Sequence, residues 1–227
     1  KGATEHAARV KGELTHHHLK HMAYDIQIEA DNILGYNFPK MEDLNFCGTV
    51  YASGTAHIYG QPGQVNIDVK GTPQSGTTLV YDASSPVTVT DANFITYVSH
   101  RDSLAHQQQE EAEVEEATES DMHLNFDLDV TPEATMQVLM DAKSGDYINL
   151  YGNGRILANY YNKGKFQMYG TYRVDHGQYK LSLQDVIRKD FAFRPGGTIT
   201  FGGDPGKAAL QLTAVYTVPN VSLEDLS

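Results

Sequence analysis

The chain has no tryptophan, one cysteine and few basic residues for its length. A single cysteine, Cys47, excludes an intramolecular disulfide and leaves the redox compartment open. Set between Phe46 and Gly48, it reads as a small buried hydrophobe. Lys and Arg total 17 against 29 Asp and Glu, a formal net charge of −12. Phosphate binding needs clustered cations, so nucleic acid is disfavoured as a partner, and so is docking by charge onto an anionic membrane surface. No run approaches the ~20 apolar residues of a membrane helix. The first residue is Lys, and the opening KGATEHAARVKGEL has no apolar signal core. The sequence therefore reads as a piece of a longer protein, and the missing targeting signal carries little information. There is no G-x-S-x-G elbow, no H-E-x-x-H, no P-loop and no Rossmann glycine pattern. Neither enzymatic activity nor a cofactor is expected.

What is abundant is β structure. The chain carries 20 Gly, 8 Pro, 14 Tyr and 8 Phe, the composition of many strands joined by turns. At 227 residues it suits one large all-β domain or two small ones. Apolar residues make up 40%, which favours a thin extended core over a deep central one. The clearest stretch runs from Phe166 to Tyr216. Phe166, Met168, Tyr172 and Val174 alternate with Gln167, Thr171, Arg173 and Asp175. Tyr179, Leu181 and Leu183 follow, then Phe191 and Phe193, Ile199 and Phe201, and Leu210, Leu212, Ala214 and Tyr216. Side chains on a strand point to opposite faces with a period of two, so each run builds one apolar and one wet face.

The rest of the chain repeats the pattern less sharply. Residues 8–30 read as strand, turn and strand, with Tyr24, Ile26, Ile28 and Ala30 alternating against Asp25, Gln27 and Glu29. From Phe46 to Tyr81, turn signals recur at Ser53-Gly54, Gly60–Gly63, Gly71–Pro73 and Ser75-Gly76, and Val65, Ile67 and Val69 share one face. Val87, Val89 and Phe94-Ile95 continue the series. Residues 101–120 hold one Arg against seven carboxylates and lose all strand period, as a solvated insertion does. Beyond it, Met122, Leu124, Phe126, Leu128 and Val130 alternate with His123, Asn125, Asp127 and Asp129. Met136, Val138 and Met140 follow, then DYINLYGNGRILANYY, read as two strands about a Gly-Asn-Gly turn. Three segments are expected: an upstream β segment over 1–100, the acidic insertion over 101–120, and a C-terminal β domain over 121–227.

Several features invite a chemical role and are better explained otherwise. His16, His17, His18 and His21 suggest a metal, but on a strand only His16 and His18 share a face, fewer than the four ligands of structural zinc. Gly202–Gly206 lacks the Lys and the following helix of a phosphate cradle and reads as a turn. Asp127 and Asp129 sit two apart, as in a β-helix carbohydrate enzyme, yet nothing else converges on them. Tyr160-Tyr161 suits a sugar ring, although aromatics are simply common in strands. An alternating strand most often packs into an ordinary sandwich core, as in a surface adhesin or carbohydrate-binding β-sandwich. Two details favour an open apolar face instead. Met136, Met140 and Met168 supply adaptable surface, and no strand reads as buried on both sides. Each CH₂ buried on such a face is worth ~0.8 kcal/mol, enough for an acyl chain to bind.

The string Phe166-x-Met168-x-Gly170-x-Tyr172-x-Val174-x-x-Gly177-x-Tyr179, then Phe191, Gly197-x-Ile199-x-Phe201, Gly203-Asp204-Pro205 and Leu210-x-Leu212-x-Ala214-x-Tyr216, is family-specific. It resembles the C-terminal domain of TamB-like translocation and assembly module proteins, of the AsmA-like envelope family, in their Bacteroidetes-type branch. Gly197-Thr198 stands where the pattern often has Gly-Ser. The match is clear over about 121–226, and residues 11–98 look like preceding repeats. The resemblance implies an open, curled β-taco with a hydrophobic concave groove. It implies a periplasmic segment of a protein anchored in the inner membrane of a diderm bacterium. The implied partners are phospholipid acyl chains, an outer-membrane barrel of the TamA or BamA type, and unfolded outer-membrane protein. The expected groove lining is Met122, Leu124, Phe126, Leu128, Met136, Val138, Met140, Phe166, Met168, Leu181, Leu183, Phe191, Phe193, Ile199, Phe201, Leu210 and Leu212, each supplying contact surface alone.

Overall fold

The computed structural model describes residues 7–17, 20–38, 46–83, 120–141, 144–183 and 187–217. They form one sheet of 13 strands, with no α-helix among the described residues. The strands are β1 (Ala7–His17), β2 (Lys20–Phe38), β3 (Phe46–Gln61), β4 (Gln64–Pro73), β5 (Thr78–Asp82), β6 (Asp121–Val130) and β7 (Thr135–Asp141). Then come β8 (Asp146–Tyr161), β9 (Gln167–Leu183), β10 (Ile187–Phe193), β11 (Thr198–Gly203), β12 (Ala209–Gln211) and β13 (Ala214–Tyr216). A single 3-10 turn, Pro205–Lys207, joins β11 to β12, with Asp204 capping it by accepting from the Gly206 N–H at 3.0 Å. The connection thus begins at Asp204, while Gly202 and Gly203, expected in the turn, extend β11 and pair with Tyr169 and Met168. The acidic stretch up to Glu119, the segment holding Val87, Val89 and Phe94-Ile95, and His18 lie outside the described residues.

The sheet order is β1-β2-β3-β4-β6-β8-β9-β10-β13. The shorter strands fill the remaining half-rows. β5 continues the row of β4, β7 that of β6, β11 that of β10, and β12 that of β13. The β4–β5 row lies parallel to the β6–β7 row, and one constant register runs from Gln64↔Asp121 through Asp82↔Leu139. Every other pairing is antiparallel.

The breaks between half-rows line up across the sheet. Pro73–Thr78 divides β4 from β5, and Val130–Thr135 divides β6 from β7 beside it. Thr135 N–H donates to Thr77 O at 2.9 Å, and Ser75 Oγ donates to Glu133 at 3.3 Å, tying the two corners together. The line continues through the register shift at Tyr151/Gly152 in β8. It then passes Val174, whose backbone exchanges hydrogen bonds with Gly196 and Gly197 at 2.9 and 2.8 Å. In β2 it meets the register shift between Ala30 and Ile33, where Asn32 has a φ of 48°. A shared break is a crease, because an extra or unpaired residue bends its strand and sharpens the local twist.

The sheet curls at this crease. Phe46 on the third strand of the order and Phe166, just before the seventh, have ring centroids 5.2 Å apart. In a flat sheet four strand spacings would hold them about 19 Å apart. The fold-over also brings Tyr81 Oη within reach of the β11–β12 connection at Gly206.

Three expected turns fall within strands, and Gly71–Pro73 is one of them, forming the last three residues of β4. Ser53-Gly54 lies inside the 16-residue β3, and Gly152-Asn153-Gly154 inside the 16-residue β8. Gly54 takes a φ of 150° and crosses the crease opposite Gly71, while Gly152 lets the β9 backbone approach. Close approach and tight turning demand the same residue, so the two look alike in sequence.

Candidate functional site

Residues paired across neighbouring strands share a face, so the register defines continuous rows. One row reads Val10, Ile28, Ala56, Val69, Phe126, Ala158, Met168 and Gly203. Its neighbour reads Gly12, Ile26, Ile58, Ile67, Leu124 and Tyr160. Across the crease a third reads Phe46, Tyr81, Val138, Ile148, Tyr179, Phe191 and Tyr216. Each row is apolar along nearly its whole length, across six to eight strands of separate sequence origin.

The opposite face is polar. Lys11, Gln27, His57, Asp68, Asn125, Asn159 and Gln167 form one of its rows. Asn125 Nδ2 donates to Asp68 Oδ1 at 2.7 Å, and His57 Nε2 lies 3.0 Å from Asp25 Oδ2. Arg155 donates to both Asp127 oxygens, at 2.8 and 2.7 Å. These bonds, with the charge of Arg155, hold the Asp127 carboxyl below its ordinary range. Asp127 is therefore paired on the wet face, and no acid–base couple forms with Asp129. Tyr161 stacks on His123 with ring centroids 4.3 Å apart, and Tyr160 is buried, so the pair offers no sugar platform. Among the described residues, no three His, Cys, Asp or Glu gather to hold a metal.

Burial changes along the apolar face. Leu150, Ile156, Ala158, Met168, Tyr172, Val174, Ile199 and Phe201 form a closed cluster drawn from β8, β9 and β11. Val174 is 0% exposed and sits at the crease. Among described residues before Ala134, no Val, Ile, Leu, Met or aromatic side chain is fully buried. Ile26, Ile28, Ile58 and Ile67 are half-buried, while Val10 and Leu14 on the edge strand are each 61% exposed. The face is thus dry near β9 and open near β1. The Tyr172 hydroxyl is sealed in the dry part, where burial first and Asp175 second push its ionisation well above the ordinary tyrosine range.

The residues expected to line a groove divide along this gradient. Met168, Ile199 and Phe201 belong to the closed cluster, and Phe126, Met136, Phe166, Phe193 and Leu212 pack against it. Met122, Leu124, Leu128, Val138, Leu181 and Phe191 are half-buried, and Met140 and Leu210 are exposed. Leu183 is described by its backbone alone. All of the others fall on strands of the one sheet or immediately beside them, and the register places Val10, Ile28, Ile58 and Ile67 in the same rows. Those four were not among the residues expected on this face. Their alternation is visible in sequence, but the pairing that joins them to Leu124 and Phe126 is not.

No curated protein and no solved structure matches the chain. One family model does, described as the TamB C-terminal domain, and it matches residues 1–226. With its curled all-β sheet and that family string, the chain belongs to the TamB C-terminal domain family of the translocation and assembly module.

Proposed function

We propose that this chain is a non-enzymatic periplasmic segment whose curled sheet offers an apolar groove to phospholipid acyl chains in transit towards the outer membrane. The reading rests on one observation: an apolar face crosses the sheet strand by strand and passes from exposed at Val10 to fully dry at Val174. A surface that stays apolar across eight strands while remaining half-open has no use in a closed sandwich. The described strands of the 1–100 segment supply the open part of the groove and those of the 121–227 segment its closed end, with the acidic stretch 101–120 between them in sequence. The longer protein is anchored in the inner membrane and works with an outer-membrane barrel of the TamA or BamA type. Strands of unfolded outer-membrane protein are the second cargo. The long strand β1, which ends the strand order among the described residues, supports that reading, since a sheet edge templates strand addition.

The test is lipid extraction and native mass spectrometry of the chain purified from cells, beside fluorescent phospholipid exchange. Stoichiometric, exchangeable phospholipid is expected. Replacing Ile28, Ile67 and Leu124 by Asp should abolish exchange while the closed cluster keeps the chain folded. A lipid-free chain that ignores the probe would refute the lipid reading.

A further inference from the structure

A cation stands beside the Tyr216 end of the row Phe46, Tyr81, Val138, Ile148, Tyr179, Phe191 and Tyr216. Lys189 lies two residues before Phe191 on β10 and pairs with Leu181, so it stands on the same apolar face. Its ammonium sits 5.0 Å from the centre of the Tyr216 ring. Tyr216 in turn packs on Phe191 at 5.5 Å, and Phe191 on Tyr179 at 5.9 Å. Among the described residues, no carboxylate lies within 4.0 Å of Lys189. Asp190 points to the other face, and Asp146, which shares the face on β8, is buried. Unlike Ile148 and Phe193, the residues Tyr179, Phe191 and Tyr216 take no part in the closed cluster or its surround. Tyr216 is 38% exposed and Met140 44%.

A lysine ammonium set over an aromatic ring, with no carboxylate within 4.0 Å among the described residues, is arranged for an anion whose remainder is apolar. In a chain of net charge −12, such a cation on the apolar face offsets locally the repulsion that an anion otherwise meets. We infer that Lys189, with Tyr216 and Leu181, forms a headgroup site for a glycerophospholipid. Its phosphate meets the Lys189 ammonium and its acyl chain lies along Phe191, Tyr179 and Ile148. This deepens the groove reading and rests on it: the cargo is oriented, head at the β10–β13 end and tail towards β8.

The experiment measures binding of a fluorescent phosphatidylglycerol and of a diacylglycerol with identical chains and label to the full chain and to two variants. Lys189→Gln should weaken phosphatidylglycerol about tenfold, the loss of one charge-assisted contact, and leave diacylglycerol unchanged. Lys189→Arg should retain the wild-type preference. If Lys189→Gln holds phosphatidylglycerol within twofold, or weakens both lipids equally, the headgroup site is wrong while the groove reading stands. If the unaltered chain takes up neither lipid, the lipid reading itself fails and the headgroup site with it.

Discussion

Gly152 shows how much of this fold rests on a missing side chain. A Cβ there would meet the Arg173 backbone carbonyl oxygen on β9 and come 3.0 Å from the ring of Tyr172, which is fixed in the closed cluster. The Tyr172 ring covers the glycine, so the contact is an aromatic packing over bare backbone at the crease. Neither neighbour is the loose end of a flexible side chain. Gly152→Ala should therefore cost about 2–3 kcal/mol, within the range of core overpacking. Gly202, by contrast, has open space where its Cβ would go. Gly202→Ala should stay within about 0.5 kcal/mol of the parent. Chemical denaturation of both variants decides the matter, and equal stabilities would mean that the sheet yields at the crease instead of resisting there.

At the scale of elements, the corners between half-rows carry the curl, and Thr77 is the side chain that fixes one of them. It is buried at 3% exposure, and its hydroxyl donates to Tyr51 O at 2.9 Å and accepts from Tyr51 N–H at 3.0 Å. It thus closes the gap in the β3 ladder where β4 has ended and β5 has not begun. Thr77→Val keeps the shape and removes both bonds, which should cost about 1–3 kcal/mol and speed exchange of the Tyr51 amide. An unchanged Tyr51 exchange rate would show that the corner is held by its strands alone. This device also marks the limit of what the sequence discloses. Alternation in Tyr24–Ala30, Met122–Val130 and Phe166–Val174 identified strands and their apolar faces, because period two is a local property. The hairpin through His17 and Lys20 was equally legible from its flanking strands. The parallel pairing of the β4–β5 row with the β6–β7 row was not, since no local feature encodes a register between distant segments. The alignment of Pro73–Thr77 with Val130–Ala134 gives the crease only once that register is known.

For the whole molecule, the gradient in burial implies a gradient in stability. Opening free energy follows local apolar burial, and the closed cluster lies wholly in β8, β9 and β11. β1 and the first half of β2 have polar residues on one side and only half-covered or exposed apolar residues on the other. They can part from β3 without disturbing Tyr172, Leu150 or Val174. Native-state hydrogen exchange should then rank the amides by distance from β9 in the sheet order. Those of β8 and β9 near the crease should open only with the whole fold. Those of β1 and β2 should open at about 2 kcal/mol less, roughly thirtyfold faster. Such an order suits the proposed groove, with loading at the soft end and bracing at the dry one. Uniform protection from β1 to β11 would make the sheet a single cooperative unit, and loading would then require an edge that stays folded.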